Sequence, residues 1–168
     1  IRLMNPKIMK RPMFRMGGSA RVNYQNGTTL EELIKNIYMY DCNFKIAASW
    51  ATKTSGTQAS DIHNHSNSWL SGVYYPQGNN KITFYNMAGH FHTHPREYNM
   101  YNSRQYTLTT EKDTLLLFPS HVYHKIPPTQ LNHTTRYSLA FNVLPYGLFG
   151  HRDSELSFQD VVPKKTKK

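Results

Sequence analysis

Several features that mark common classes of protein are scarce or missing in this sequence of 168 residues. A single cysteine, Cys42, cannot form an internal disulfide, which excludes a small secreted scaffold held by cystines. No apolar run is long enough to cross a bilayer, so a transmembrane helix is excluded and no membrane partner is expected. The chain opens with Ile1 and has no apolar secretory core after it, which leaves open whether its native N-terminus lies upstream; we expect a reducing, cytoplasmic location.

Acidic residues are also scarce, with ten Asp and Glu against twenty Lys and Arg, and the basic excess lies at the two ends of the chain. Six basic residues precede residue 22, and four lysines lie within residues 164–168. The body between them, residues 22–163, carries ten basic and ten acidic side chains and is formally neutral. We therefore expect solvated tails and do not favour nucleic acid as a partner; a tail that binds polyanions is the alternative.

One amphipathic helix and many short β-type runs make up the rest of the pattern. Thr29 and Glu32 have the spacing of a capping box, and apolar residues recur at helical spacing after them, which predicts a helix that ends near residues 41–43. Seven runs rich in β-branched and aromatic residues follow, separated by turn residues. They are 44–52, 69–75, 81–85, 106–109, 114–118, 121–126 and 135–143.

This order of elements predicts a mainly β fold, an antiparallel sandwich or jelly roll with the helix packed on it. Residues 1–28 are predicted to form a basic extended segment, residues 29–160 a single domain, and residues 161–168 a basic tail. The stretch 86–105 is polar and aromatic without a regular period, and a loop of that length inside a compact domain is usually functional.

The first candidate site residues lie just before the second predicted strand. If the segment is extended, Asp61, His63 and His65 point to the same face and place one carboxylate and two imidazoles within reach of a single ion. The alternative is a polar loop whose histidines bond only to backbone groups.

A third histidine lies on a later strand. His124 follows the apolar strand 114–118 and is placed to face the core, whereas His121, three residues earlier, falls on the opposite face and is predicted to lie at the surface. A ligand pair from one strand and a third histidine from another would form a facial metal site with open positions for substrate and dioxygen.

An arginine occupies an otherwise apolar alternating strand. Arg136, Ser138 and Ala140 share one face of the strand 135–143. A guanidinium inside a barrel is costly unless it pairs with an anion, so a cosubstrate that carries a carboxylate is the natural occupant. The alternative is a salt bridge to Glu111 or Asp113.

Three further histidines, His90, His92 and His94, also alternate, but they fall in the irregular loop without a strand partner. Exposed histidines, or adventitious binding of nickel or zinc, are the favoured interpretation. The aromatic residues around them are candidates for a lid over an active site.

Taken together, four runs in this order resemble a small family of 2-oxoglutarate- and iron(II)-dependent oxygenases of marine bacteria and their phages. The resemblance covers residues 44–156. Its strongest runs are 48–51, 63–75, 117–120 with His124, and 136–142.

The resemblance implies a double-stranded β-helix, the cupin-like jelly roll, with His63 and His124 as iron ligands. His65 stands where oxygenases of the broader class usually have Asp or Glu, so the site has three histidines, or Asp61 completes it, or this position binds no metal. Arg136 with Ser138 is similar to the pair that holds the distal carboxylate of 2-oxoglutarate, and Tyr75 is similar to the tyrosine that shares this carboxylate.

The function implied is that of a dioxygenase that uses Fe(II), with 2-oxoglutarate as cosubstrate, to hydroxylate an unidentified organic substrate with release of succinate and CO2. No catalytic residue beyond the metal ligands is implied, and a phage-encoded protein would act in the host cytoplasm. One alternative is a cupin-like metal protein that does not use 2-oxoglutarate, although residues 67–70 lack the glutamate usual there. The other is a non-enzymatic β-rich binding module with basic tails.

Overall fold

The fold is taken from a computed structural model, which describes residues 20–23, 30–39, 42–55, 57–87, 95–99, 102–128 and 135–158. It contains one α-helix, α1 (Leu30–Tyr38), one short 3-10 helix (Arg152–Ser154) and nine strands. The strands are β1 (Ala20–Asn23), β2 (Asn43–Ser55), β3 (Leu70–Tyr75), β4 (Lys81–Tyr85), β5 (Gln105–Thr109), β6 (Thr114–Pro119), β7 (Tyr123–Lys125), β8 (Thr135–Phe149) and β9 (Leu156–Phe158). No helix in these ranges has the length and apolar character that a membrane span requires.

Two antiparallel sheets form the body of the protein. The larger has the strand order β1-β6-β3-β8-β2, and the smaller has the order β5-β4-β7. The last strand, β9, extends the far end of β8 as a two-stranded ribbon. The fold is a mainly β jelly roll with one helix packed on it, as the sequence predicted.

The larger sheet is buried on both faces at its centre. One face of β6 packs Leu115 and Leu117 against Ile34 of the helix, and the other packs Leu116 and Phe118 toward the smaller sheet. This double burial explains why β6 reads as a continuous apolar run instead of an alternating one. Because β3 lies beside β6, its side chains alternate between the helix layer and the space between the sheets.

A glycine in the middle of β3 makes close packing between strands possible. Gly72 pairs with Phe141 of β8, and a Cβ atom at this position would collide with the ring of Phe141. A strand interior normally disfavours glycine, so its presence here reflects close approach of a neighbouring ring.

The helix ends earlier than the sequence predicted. Glu31 and Lys35 form an i,i+4 ion pair of 3.3 Å within it, and the backbone N–H of Met39 donates to the carbonyl of Lys35 at 3.0 Å. Met39 has a φ of 57°, the left-handed conformation in which helices commonly end. The predicted end near 41–43 is therefore wrong by about one turn. The predicted cap at Thr29 lies outside the described residues.

The sheet also includes residues that the sequence pattern missed. Ala20–Asn23 pairs with β6, so a strand lies within the segment predicted to be a simple extended lead-in, ahead of the predicted domain boundary at residue 29. The sequence pattern also predicted that β8 ends at residue 143, whereas the strand continues to Phe149. The division of the chain into one domain and two tails stays a prediction, and the tail 161–168 lies outside the described residues.

Candidate metal centre

His63 and His124 lie opposite each other across an antiparallel bridge. The backbone N–H of each donates to the carbonyl of the other, at 3.0 and 2.9 Å. Directly opposed residues of an antiparallel pair present their side chains on the same face. Their ring centroids are 4.4 Å apart.

His65 joins this pair from the loop before β3. Its backbone N–H donates to the carbonyl of Ser120 at 2.9 Å, which holds the loop against the turn after β6. The centroid of its ring lies 5.4 Å from that of His63 and 5.2 Å from that of His124. One nitrogen from each of the three rings lies within 4.8 Å of the others, close enough to share one ion.

Hydrogen bonds at Nδ1 decide which nitrogen each ring offers. The Nδ1 atom of His63 lies 2.8 Å from the carbonyl oxygen of Asp61, and that of His124 lies 3.0 Å from the carbonyl oxygen of Val122. The Nδ1 atom of His65 lies 2.7 Å from Oδ1 of Asn142. Since carbonyl oxygens only accept, each Nδ1 carries a proton, and Nε2 is the nitrogen that each ring can offer to an ion. Three imidazoles that present Nε2 fit a divalent transition metal.

Burial keeps His124 in the neutral form that a metal requires. The ring of Phe118 packs edge-on against it, with centroids 4.8 Å apart, and only 5% of the residue is exposed. This desolvation is the main cause that lowers the pKa of His124 to about 4; the hydrogen bond to the carbonyl of Val122 opposes the shift, and the nearby rings of His63 and His65 contribute to it. Its lone pair is therefore free at neutral pH.

The competing ligand candidates fall elsewhere. Among the described residues, the group close enough to share an ion contains the three histidines and does not include Asp61. Asp61 is exposed, and its backbone carbonyl, not its carboxylate, bonds to His63. His121 is also exposed. His90, His92 and His94 lie outside the described residues.

Arg136 is buried on β8 and held by backbone carbonyls. Its Nη1 donates to the carbonyl of Pro127 at 3.1 Å, and its Nη2 donates to the carbonyl of Gln58 at 2.6 Å. Each terminal nitrogen carries a second N–H, so the guanidinium keeps donors for a further acceptor. Burial lowers the pKa of Arg136, and the charge of a neighbouring Tyr75 phenolate would oppose this.

Within the described ranges, Arg136 forms no ion pair with an acid, neither with Glu111 nor with Asp113. The hydrogen bonds described for its guanidinium go to carbonyls, and Asp113, one of the two predicted alternatives, accepts a bond of 2.7 Å from the hydroxyl of Tyr74. That bond raises the pKa of Tyr74. A buried cation without a carboxylate partner is costly unless a ligand supplies one.

Tyr75, like Arg136, lies in an environment that favours an anionic ligand. It is 3% exposed, and its hydroxyl has no hydrogen-bond partner in the described part of the chain. Burial raises the pKa of this hydroxyl, an effect that the charge of Arg136 opposes. A buried donor without an acceptor costs about 1–3 kcal/mol, so an acceptor beside Arg136 would remove a real penalty.

One cavity of about 300 Å³ connects these groups. The three histidines line it together with Tyr75, Arg136 and Ser138, and none of the described residues around it is Asp or Glu. Trp50 forms part of its wall and packs near His65, with ring centroids 5.8 Å apart. A space of this size, with nitrogen donors and a cation but no acid, suits a small dianion bound beside a metal.

Sequence reasoning missed the polar groups that contact His65. Asn142 and Ser71 both bond to its Nδ1, and Ser120 bonds to Ser71. The alternation that placed Arg136, Ser138 and Ala140 on one face continues to Asn142, and this was the available signal. The contact with His65 depends on pairing between β3 and β8, which alternation within one strand does not reveal.

Residues 48–142 match the family described as "Putative 2OG-Fe(II) oxygenase". No curated protein sequence matches the chain.

The solved structures that are similar to this one include two oxygenases. An oxidoreductase of the 2OG-Fe(II) oxygenase family from Burkholderia pseudomallei has 10% identity and a TM-score of 0.51, over 68% of this chain and 49% of that chain. A prolyl-4-hydroxylase from Pseudomonas putida has 13% identity and a TM-score of 0.42, over 76% of this chain and 73% of that one. The chain thus spans about half the length of the Burkholderia protein, and at this identity the likeness shows the shared fold.

Proposed function

The chain belongs to the 2OG-Fe(II) oxygenase family, which residues 48–142 match, and from this premise we propose that it is an Fe(II)- and 2-oxoglutarate-dependent dioxygenase that hydroxylates an organic substrate. The observation that carries the proposal is the pairing of two sites in one acid-free cavity. Three free Nε2 atoms form one site, and a buried guanidinium with an unpartnered tyrosine hydroxyl forms the other.

His63, His65 and His124 would hold the iron. Each ring donates from Nδ1 and therefore offers Nε2 to a metal, and a set of three protein ligands leaves positions open for other molecules. Since His65 stands where a carboxylate is usual in the broader class, the protein would add no negative charge to the metal. The bound cosubstrate would then supply the anionic ligand.

Arg136, Tyr75 and Ser138 would bind the distal carboxylate of 2-oxoglutarate. Arg136 is already oriented by two carbonyls and keeps free N–H groups, so little ordering is needed when the carboxylate arrives. The unpartnered hydroxyl of Tyr75 would donate to the same carboxylate. Charge-assisted bonds of this kind are the stronger class of hydrogen bond. They would also remove the free-energy cost of leaving these buried donors without an acceptor in the free protein.

The protein's other contribution is positioning and exclusion of water. Apolar side chains from both sheets, including Phe118 of the larger sheet and Ile82 of the smaller one, line the same cavity as the histidines and would separate the reacting groups from bulk solvent. When bound, iron and 2-oxoglutarate together supply the oxidising chemistry for reaction with dioxygen. The overall balance is one dioxygen and one 2-oxoglutarate consumed, with one oxygen atom leaving in succinate, the other in the hydroxylated product, and CO2 released.

Anaerobic titration tests this proposal directly. The metal-free protein is loaded with Fe(II), 2-oxoglutarate is added, and the visible charge-transfer absorption of the chelate is followed. We expect saturable absorption with one 2-oxoglutarate per protein, and succinate formation when dioxygen is admitted. Iron binding without any 2-oxoglutarate binding would instead favour a cupin-like metal protein. If the protein binds neither iron nor 2-oxoglutarate, the non-enzymatic binding module is the alternative that remains.

A further inference from the structure

A polar cluster of two buried serines and a half-buried asparagine surrounds the Nδ1 atom of His65. It consists of Ser71, Ser120 and Asn142, and we call it the His65 support cluster. Asn142 Oδ1 lies 2.7 Å and Ser71 Oγ lies 2.9 Å from Nδ1. Ser71 Oγ lies 2.8 Å from Ser120 Oγ and 3.0 Å from Asn142 Oδ1. Ser71 is 1% exposed and Ser120 is fully buried.

The donors and acceptors of this cluster fit together in one consistent way. Oδ1 of Asn142 can only accept, and the hydroxyl of Ser71 donates to it. Ser71 has then used its single proton, so its oxygen accepts from Ser120. His65 must therefore donate from Nδ1 to Asn142, with Ser71 as a second acceptor. The proton lies on Nδ1, and the lone pair lies on Nε2.

The cluster is assembled from three separate elements. Ser71 and Asn142 are directly opposed on β3 and β8, so their side chains share one face of the sheet. Ser120 comes from the turn after β6, and its carbonyl also accepts the backbone N–H of His65. The same turn thus fixes both the backbone and, through Ser71, the ring of this histidine.

His65 differs in this respect from the other two members of the triad. His63 and His124 donate from Nδ1 to backbone carbonyls, which no side-chain substitution removes. Both acceptors described for Nδ1 of His65 belong to side chains. His65 is therefore the member of the triad whose described Nδ1 hydrogen bonds depend on the identity of neighbouring side chains.

We infer that Asn142, supported by Ser71 and Ser120, is a positioning residue that presents His65 to the metal through Nε2 at the position where a carboxylate is usual. This inference rests on the proposed function, because it takes His65 to be a ligand. Partners that orient a metal-bound histidine commonly change metal affinity by 10–100-fold when they are removed. In this chain, the three-histidine site therefore depends on the side-chain amide of Asn142, which lies two residues after Ala140 on β8.

Two substitutions of Asn142 test the inference with Co(II) as the probe. Asn142→Leu keeps approximate size and removes the acceptor, whereas Asn142→Asp keeps an acceptor oxygen at the same place. Co(II) affinity of the full chain is measured by calorimetry, and the visible Co(II) absorption reports the ligand set. We expect Asn142→Leu to weaken binding by about 10–100-fold and to change the spectrum, and Asn142→Asp to bind as well as the unaltered protein or more tightly.

Tyr74→Phe is the matched control, since it removes the hydrogen bond from Tyr74 to Asp113, neither of which lines the cavity, and no hydrogen bond described for His65. It should retain affinity. Thermal unfolding of each metal-free variant shows whether it is folded, and Ser71→Ala replaces Asn142→Leu if the latter does not fold. Equal affinity of Asn142→Leu and the unaltered protein would overturn the inference and leave the proposed function standing. Equal loss in Asn142→Leu and Asn142→Asp would also overturn it, because an acceptor role predicts rescue. Absence of Co(II) binding by the unaltered protein would count against the metal site itself.

Discussion

The two ends of the cavity differ in how completely the protein satisfies its own polar groups. At the histidine end, every Nδ1 has an acceptor and the Nε2 lone pairs are left free. At the arginine end, Arg136 is only partly bonded and the hydroxyl of Tyr75 has no partner among the described residues. The histidine end is thus preorganised by the fold, whereas under the proposed function a ligand would complete the arginine end. Substitutions at the two ends should separate metal binding from cosubstrate binding.

Removing a histidine should have the largest effect. His124→Ala deletes the most buried member of the triad and is expected to abolish measurable Fe(II) or Co(II) binding, because two imidazoles remain where three are needed. Calorimetric titration of the metal-free protein measures this. His121→Ala is the control, since His121 is exposed and should be dispensable. If the metal affinity of His124→Ala were unchanged, the assignment of His124 as a metal ligand would be wrong.

Removing the guanidinium should affect the opposite end alone. Arg136→Ala is expected to weaken 2-oxoglutarate binding by about 100-fold, the equivalent of about 3 kcal/mol for lost bonds to a charged group. Metal affinity without 2-oxoglutarate should change little, because Arg136 makes no described contact with the histidines. The two titrations are run on the same preparation. A parallel loss of metal affinity would contradict the separation of the two ends.

Acid should destabilise the metal-free protein through His124. Its pKa is about 4 in the folded protein and 6.5 ordinarily, so the unfolded chain takes up the proton first as pH falls. Stability from this group is complete above about pH 6.5 and is lost progressively toward pH 4, by about 3 kcal/mol in all. Urea unfolding at several pH values measures it. His124→Phe removes the titrating group, and a pH dependence undiminished in that variant would rule out His124 as its source.

The smallest effect is expected at Tyr75, and it has opposite signs in two assays. Tyr75→Phe removes a buried hydroxyl that has no described partner, so the metal-free protein should be as stable as before or more stable by about 1 kcal/mol. The same change should weaken 2-oxoglutarate binding by about tenfold, because one donor to the carboxylate is lost. Thermal unfolding and titration measure the two quantities. Lower stability with unchanged affinity would mean that the hydroxyl is bonded within the protein.

Alternation along single strands predicted much of the cavity lining. Arg136, Ser138 and Ala140 were placed on one face by period-two reasoning, and all three line the cavity. The same reasoning assigned His121 to the surface and His124 to the core, and their exposures agree. For His63 and His65 the prediction assumed an extended strand, whereas His63 forms an isolated bridge and His65 lies in a loop.

Partners across strands could not be predicted in the same way. Asp61 was a candidate ligand only because alternate residues of an extended segment share one face. Its side chain is exposed, and the described histidine group does not include it. An ion pair between Arg136 and Asp113 was a reasonable expectation from their charges. Asp113 instead accepts a hydrogen bond from Tyr74, and backbone carbonyls accept the hydrogen bonds of Arg136. The strand Ala20–Asn23 was missed because a short edge strand is defined by its pairing more than by its pattern.

Local chemistry along the chain was sufficient to identify the helix, most strands, the three histidines and the buried arginine, since periodicity and residue type are properties of short segments. Which atoms face each other was decided by folding. Strand register brings Asn142 and Ser71 to His65, brings carbonyls to Arg136 and leaves Tyr75 without an acceptor in the described part of the chain. These contacts join residues up to 78 positions apart, and a hydrogen bond forms only when the packed sheets bring donor and acceptor within about 3 Å.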